Sequence, residues 1–299
     1  MKKNQPSPNP TFYGDIINNQ LKIGRISYIN VDPVYYQFDH EPIPAGMQVI
    51  SRPPAVLNKM LSNSELDISS VSSSAFARHS DQWLILPDLS IACYGKVLSV
   101  LLVSRHSFEE LQDRTILLTE ESATAVDLVK LIFSLKGISP VFQRGKVTSP
   151  DDLTTLAGTG LVIGDAALKH KWENHFDYVW DLCEIWNHMT GLPFVFGVWA
   201  VRKSYAKKYP DRVSTVLERF KTSKEEGLRN ISDIARLSAE KISIDLNLCR
   251  TYFNSMYYGM GDSELKCLKE FFLRLYSEKI IDQKPELNFF NPVEKQRKI

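Results

Sequence analysis

The chain has 299 residues, 43% of them hydrophobic, with 36 Lys and Arg against 35 Asp and Glu. That length can bury a large core and favours two domains over one. A formal charge of +1, with both signs interspersed, argues against a surface built to bind polyanions, so no nucleic-acid partner is expected.

The first residues, MKKNQPSPNPTFYGDIINNQ, follow their lysines with prolines, asparagines and glutamines instead of the apolar run of a secretory signal. They read as a flexible arm over 1–18, and the protein is expected to be cytoplasmic. The apolar runs further on are too short or too amphipathic to span a bilayer, so no membrane insertion is expected. A strand over 21–26 then gives way to Ser27, Tyr28, Ile29 and Asn30. Asp32-Pro33 has the chemistry of a helix start, with Asp as cap and Pro in the first turn. Asn30 is thereby placed in a strand-to-helix turn, facing the crevice at the carboxyl end of the strand.

Val56, Leu57, Met60 and Leu61 form an apolar stripe at helical spacing. A short alternating strand over 66–71 follows. Ser72, Ser73 and Ser74 then lead into a helical turn at Ala75-Phe76-Ala77. Residues 84–105 read as two strands around Tyr94-Gly95. A strand at Ile116, Leu117 and Leu118 passes through TEESAT into a helix lined by Ala125, Leu128, Val129, Leu131 and Ile132, which Gly137 ends as a C-cap. Leu161 to Ile163 form another strand, with Gly164-Asp165 as its turn and a helix from Ala166. The stretch 209–242 is helical in pattern throughout. In a further helix, Leu265, Leu268, Phe271, Phe272 and Leu275 make a packing face.

Cys93, Cys183, Cys249 and Cys267 form no CxxC pair and read as isolated buried thiols of a reducing compartment. The six histidines show no HExxH and no paired metal spacing, so no metal site is expected. Several strand-to-helix turns carry small hydroxyls, Asn or Asp. Each helix start offers free amides and partial positive charge, and converging turns of this kind suit a small carboxylate ligand. Read one at a time, the same residues are ordinary N-caps.

Taken together, IGRISYINVDPVYY (23–36), LDISSVSSSAFAR (66–78), LILPDLSIACYGKVLSVLLVSR (84–105), LLTEESATAVDLVKLI (117–132), GLVIGDAAL (160–168) and DLCEIWNHMTGLPFVFGVWAVR (181–202) resemble, in content and order, the MqnA branch of the MqnA/MqnD family. These are the chorismate dehydratases of the futalosine route to menaquinone. Ala125, where members often carry Ser, and Cys93-Tyr94 depart from the pattern.

The resemblance implies an α/β, two-lobed, type II periplasmic-binding-protein-like fold with a central cleft and two hinge crossings. Lobe one would comprise 19–100 and 199–285, including the C-terminal helices, lobe two 101–198, and a peripheral tail 286–299. The crossings would be the apolar strands at 96–104 and 194–202, buried on both sides. Phe194, Phe196 and Trp199 are read as hinge and core packing.

The implied activity is cofactor-independent loss of water from chorismate, a small dicarboxylate, giving 3-[(1-carboxyvinyl)oxy]benzoate, in a monomer or homodimer. Asn30 and Ser99 look like the family's active-site Asn and hinge serine. Ser73, Ser122 and Thr124 would grip carboxylates with hydroxyls and helix-start amides, or simply cap. Asp165 is either a base or, as favoured here, the cap of its own helix. Arg25 and Arg202 would counter substrate charge or lie on the surface. A dihydroxynaphthoate synthase of the MqnD type would need a base, usually histidine, and His79, His170 and His188 fall in no motif for that role. A non-catalytic binding protein for a small carboxylate is the other alternative.

Overall fold

A computed structural model of the chain describes residues 20–153 and 158–292. The expected arm at 1–18, and residues 293–299 of the expected tail, lie outside the described residues.

The first part of the chain runs β1 (Leu21–Ile26), a 3-10 helix (Ile29–Tyr35) continuing into α1 (Tyr36–His40), β2 (Met47–Arg52), α2 (Pro54–Ser62), β3 (Ile68–Ser72), α3 (Ser73–Arg78) and β4 (Trp83–Cys93). The middle part runs β5 (Val100–Ser104), β6 (Thr115–Thr119), α4 (Ala123–Lys136), β7 (Val141–Gly145), β8 (Thr159–Ile163), α5 (Gly164–Lys169), β9 (Tyr178–Asp181) and α6 (Leu182–Thr190). The last part runs β10 (Phe194–Arg202), α7 (Lys203–Lys208), α8 (Pro210–Arg229), α9 (Ile231–Ile242), α10 (Leu246–Ser255), β11 (Met256–Tyr257) and α11 (Asp262–Ser277).

These strands form two mixed sheets, ordered β11-β4-β10-β3-β1-β2 and β7-β6-β8-β5-β9. In the first, β1 is parallel to β2 and β3, while β10 runs antiparallel to β3 and β4. In the second, β6 is parallel to β7 and β8, while β5 runs antiparallel to β8 and β9. The two-lobed architecture therefore has one sheet in each lobe.

The apolar strands expected to cross between lobes do not themselves cross. All of β5 pairs within the second sheet, and β10 pairs from Phe194 to Arg202 within the first. The chain changes sheets in the links on their N-terminal sides, 94–99 and 191–193. We place the lobe divide there, since a divide at 198/199 would cut β10. Every residue of β5 is buried, which accounts for its unbroken apolar run.

The cores follow from the sequence patterns. Phe220 of α8 meets Tyr35 edge-on at 5.4 Å and lies 5.0 Å from Phe38, while Phe271 of α11 packs on Phe194 at 5.0 Å. Each such fully buried side chain contributes roughly 1.5–3 kcal/mol. The helical pattern over 209–242 breaks once, at Asn230. There the side-chain amide donates to Glu226 O at 2.9 Å and competes with helix continuation. Gly137 and Gly191 end α4 and α6 in the left-handed conformation. All four cysteines are buried and free, but two are not isolated: the Cys183 thiol donates to the Cys93 carbonyl at 3.4 Å.

One close approach ties the C-terminal helices to the N-terminal ones. A Cβ at Gly227 of α8 would lie 2.1 Å from the Pro33 carbonyl oxygen. Gly227→Ala must therefore push α8 away from the 3-10 helix. We expect a loss of about 1–3 kcal/mol, seen as a melting temperature lower by at least about 2 °C. An unchanged melt would show that the approach is not tight.

Candidate active site

Asn30 does not precede its helix as expected. The 3-10 helix begins at Ile29, so Asn30 sits in its first turn and Asp32 and Pro33 lie inside it. Pro33 supplies no amide hydrogen and disfavours the α conformation at Asp32, which suits the tighter helix. Asp32 is not a cap. It pairs with Arg25 at 2.7 Å and accepts from the Ser238 hydroxyl at 3.3 Å. The turn holds Asn30 against a cavity between the two sheets. Its Oδ1 is buried there without a hydrogen-bond partner. A buried carbonyl oxygen left in this state is unusual and fits an acceptor awaiting a ligand.

Ser99 and Ser122 line the same cavity. Ser99 closes the link between the sheets and meets the buried Tyr252 hydroxyl of α10. Ser122 caps α4, accepting the Ala125 amide at 3.1 Å. The sequence reading missed Ser72, Tyr28 and Phe196, which also line the cavity. Ser72 caps α3 by accepting from Ala75 at 3.3 Å. Phe196 stands at a bulge where β10 pairs through Val195 and Gly197, and that irregularity exposes its ring to the cavity, unlike buried Phe194 and Trp199. The Tyr28 hydroxyl donates to Glu121 Oε2 at 2.5 Å.

The other expected residues lie outside the lining. Ser73 donates its hydroxyl to the Val195 carbonyl at 2.7 Å. Thr124 accepts the Ser74 amide at 3.0 Å and so ties α3 to α4 across the lobes. Asp165 neither caps its own helix nor faces the cavity. Its carboxylate accepts the Ile29 amide at 3.3 Å from the other lobe. Burial is the main reason its carboxyl is pushed up to about 6. Arg25 is held by Asp32 and by Asp39, the latter at 2.6 Å, and stacks over the Tyr35 ring. Arg202 pairs with Asp67 at 2.5 Å.

No lining residue carries a charge. Positive potential comes instead from the first turns of α3, α4, α5 and the 3-10 helix, which bring Ser72, Ser122, Gly164 and Asn30 to the wall. Further polar contacts close the lobes over the cavity: the Ala55 amide to Glu121 O at 3.2 Å, and Arg78 to Asp127 at 2.5 Å. Among the described residues no group of three or more His, Cys, Asp or Glu is placed to hold a metal, and no helix is long and apolar enough to cross a membrane.

A family model described as menaquinone biosynthesis matches residues 21–277. The chain is 30% identical over 264 residues to a chorismate dehydratase of Thermus thermophilus, covering 83% of this chain and 93% of that protein. It is 32% identical over 197 residues to a chorismate dehydratase of Campylobacter jejuni, covering 62% and 73%. Its fold matches the periplasmic aliphatic sulphonate binding protein SsuA of Escherichia coli with a TM-score of 0.63 at 12% identity, over 94% of this chain and 95% of that one. This last likeness overturns the cytoplasmic placement expected from the sequence, because the solved proteins sharing the fold include periplasmic substrate-binding proteins. With the family model spanning both lobes, the chain belongs to the menaquinone-biosynthesis enzyme family of MqnA/MqnD-like chorismate dehydratases, carried on a type II periplasmic-binding-protein fold.

Proposed function

We propose that this protein removes water from chorismate to give 3-[(1-carboxyvinyl)oxy]benzoate, on the futalosine route to menaquinone. The observation that carries the reading is the uncharged cavity in which Asn30 Oδ1 is buried and unpartnered. The C3 hydrogen of chorismate is vinylogous to the ring carboxylate. Its removal spreads charge through the C1–C2 alkene, the adjacent C4 hydroxyl departs, and the ring becomes aromatic. The elimination is redox-neutral. The site has to hold two carboxylates, stabilise the developing dienolate and help hydroxide leave.

Asn30 offers two donors and an acceptor for the departing hydroxyl and the dienolate. Ser99 faces the same space from the inter-sheet link. Ser72 and Ser122, with the amides of their helix starts, take the carboxylates. An anionic residue on this wall would repel a dianion, which argues for the substrate's own enolpyruvyl carboxylate as acceptor of the neighbouring C3 proton. The naphthoate-synthase alternative needs a base at the cavity, and none of His79, His170 and His188 is among the lining residues.

Purified protein given chorismate alone is expected to form a product lighter by one water in mass spectrometry. Chorismate recovered intact after long incubation at high protein concentration would overturn the proposal. Asn30→Ala should keep the fold and lose roughly a hundredfold or more in turnover, about 3 kcal/mol for a lost donor to developing charge. Asn30→Asp should do at least as badly, since it adds charge beside a dianion. Near-normal turnover by Asn30→Asp would make Asn30 structural.

Closure over the substrate carries a pH signature at Asp165. Its carboxyl is raised from 3.8 to about 6, so the protonated form favours the closed native state. The stabilisation is complete below the unfolded value and is lost as pH rises through 6. Asp165→Asn keeps an acceptor for the Ile29 amide and carries no charge. It should melt higher than wild type at pH 8, by up to about 2 kcal/mol after allowance for partial exposure, and match it at pH 4. Equal melting at pH 8 would contradict this.

A further inference from the structure

The link that brings Ser99 to the cavity contains an unusual backbone. Leu98 has φ +64°, a left-handed conformation that a branched apolar side chain adopts only under compulsion. No glycine or asparagine relieves it. The link that Leu98 belongs to reaches the wall, where Val97, Ser99 and Val100 line the cavity. The Leu98 side chain packs against the cluster formed by α9 and α10, from which Tyr252 also meets Ser99.

The Gly164 amide holds the Ser99 carbonyl at 2.8 Å, and a buried carboxylate holds Leu98 itself. Asp181, at the end of β9, accepts the Leu98 amide on Oδ2 at 2.7 Å. Its Oδ1 accepts the amides of Cys183 at 3.0 Å and Glu184 at 3.2 Å, capping α6. Asp181 is 6% exposed. The two oxygens thus have separate tasks. One anchors a helix of the second lobe, and the other clamps the strained link to that helix. Backbone strain maintained beside a reacting group by surrounding bonds is a recognised way of pre-organising a site.

We propose that Asp181 is a positioning residue for the reaction: its Oδ2 holds Leu98 in the left-handed conformation and thereby sets the Ser99 hydroxyl on the cavity wall. This rests on the reading of that cavity as the site of reaction. The Asp181 carboxylate touches neither the wall nor a substrate in it. It acts through Leu98.

Asp181→Asn separates the two tasks. Its carbonyl oxygen still caps α6, while its amide nitrogen faces the Leu98 amide, donor against donor, and the clamp is lost. The expected result is kcat for chorismate lowered at least tenfold, KM within threefold, and a melting temperature within a few degrees of wild type. Adding Leu98→Gly, which removes the steric objection to positive φ, should recover at least a third of the lost turnover. Wild-type kcat in Asp181→Asn would overturn the proposal, and so would a loss that Leu98→Gly does not relieve. If the wild-type protein leaves chorismate intact, the dehydratase reading fails by itself. The crystal structure of Asp181→Asn then decides this one. Leu98 relaxed to negative φ, with Ser99 turned off the wall, upholds it; Leu98 still at positive φ, with Ser99 in place, overturns it.

Discussion

Two neighbouring contacts set the geometry around the cavity: the Tyr28 hydroxyl to Glu121, and the Ile29 amide to Asp165. Both leave the first lobe at the mouth of β1 and end on carboxylates of the second. Asn30 is the next residue, so its place on the wall is fixed by what Tyr28 and Ile29 grip. Each bond to a charged acceptor is worth about 1.5–3 kcal/mol. Against that stands the cost of burying the carboxylate, which for Asp165 is large enough to raise its pKa. The net attraction between lobes is therefore modest, as a site that must admit a substrate and release a product requires.

The absence of charge from the wall follows from the same economy. Cations near the site residues in sequence are already committed, Arg25 to Asp32 and Asp39, Arg78 to Asp127, and Lys96 to Glu184. A lysine or arginine on the wall would hold a carboxylate equally well before and after the proton leaves, which adds binding without speeding the step. Hydroxyls and helix-start amides held in place by the fold are fixed dipoles. They respond to charge where it develops and need no reorganisation.

The strands and helices were largely legible in the sequence, because each polar turn interrupts an apolar run and each helix is announced by its stripe. Asn30, Ser99 and Ser122 could be picked out as polar residues at such interruptions, with the family resemblance to rank them. What failed was register and long-range pairing. In Ser72-Ser73-Ser74 nothing local says where the strand ends; β3 extends to Ser72, which makes Ser72 the cap and turns Ser73 toward Val195. The partner of Asp165 lies 136 residues away, so its side chain looked like the cap of its own helix. Arg25 looked free until the 3-10 helix and α1 brought Asp32 and Asp39 back over it. Phe196 is exposed by a bulge whose sole local mark is Gly197 within the apolar run.

The C-terminal helices make the cavity more than a two-sided cleft. One apolar cluster joins Ile29 of the first lobe and Leu168 of the second to Ile234, Ala239, Tyr252 and Phe253 of α9 and α10. Tyr252 reaches Ser99 from that cluster, and Met256, the next turn of chain, lines the cavity. These helices therefore pack against both halves of the closed state at once. Opening the lobes must separate Ile29 from Leu168, and α9 with α10 can follow only one of them. The apolar area lost at the other is a cost of opening that no polar latch supplies. The same cluster half-buries Leu98 and meets Ser99 through Tyr252, so the helical pair and the strained link form one continuous support behind the reacting wall.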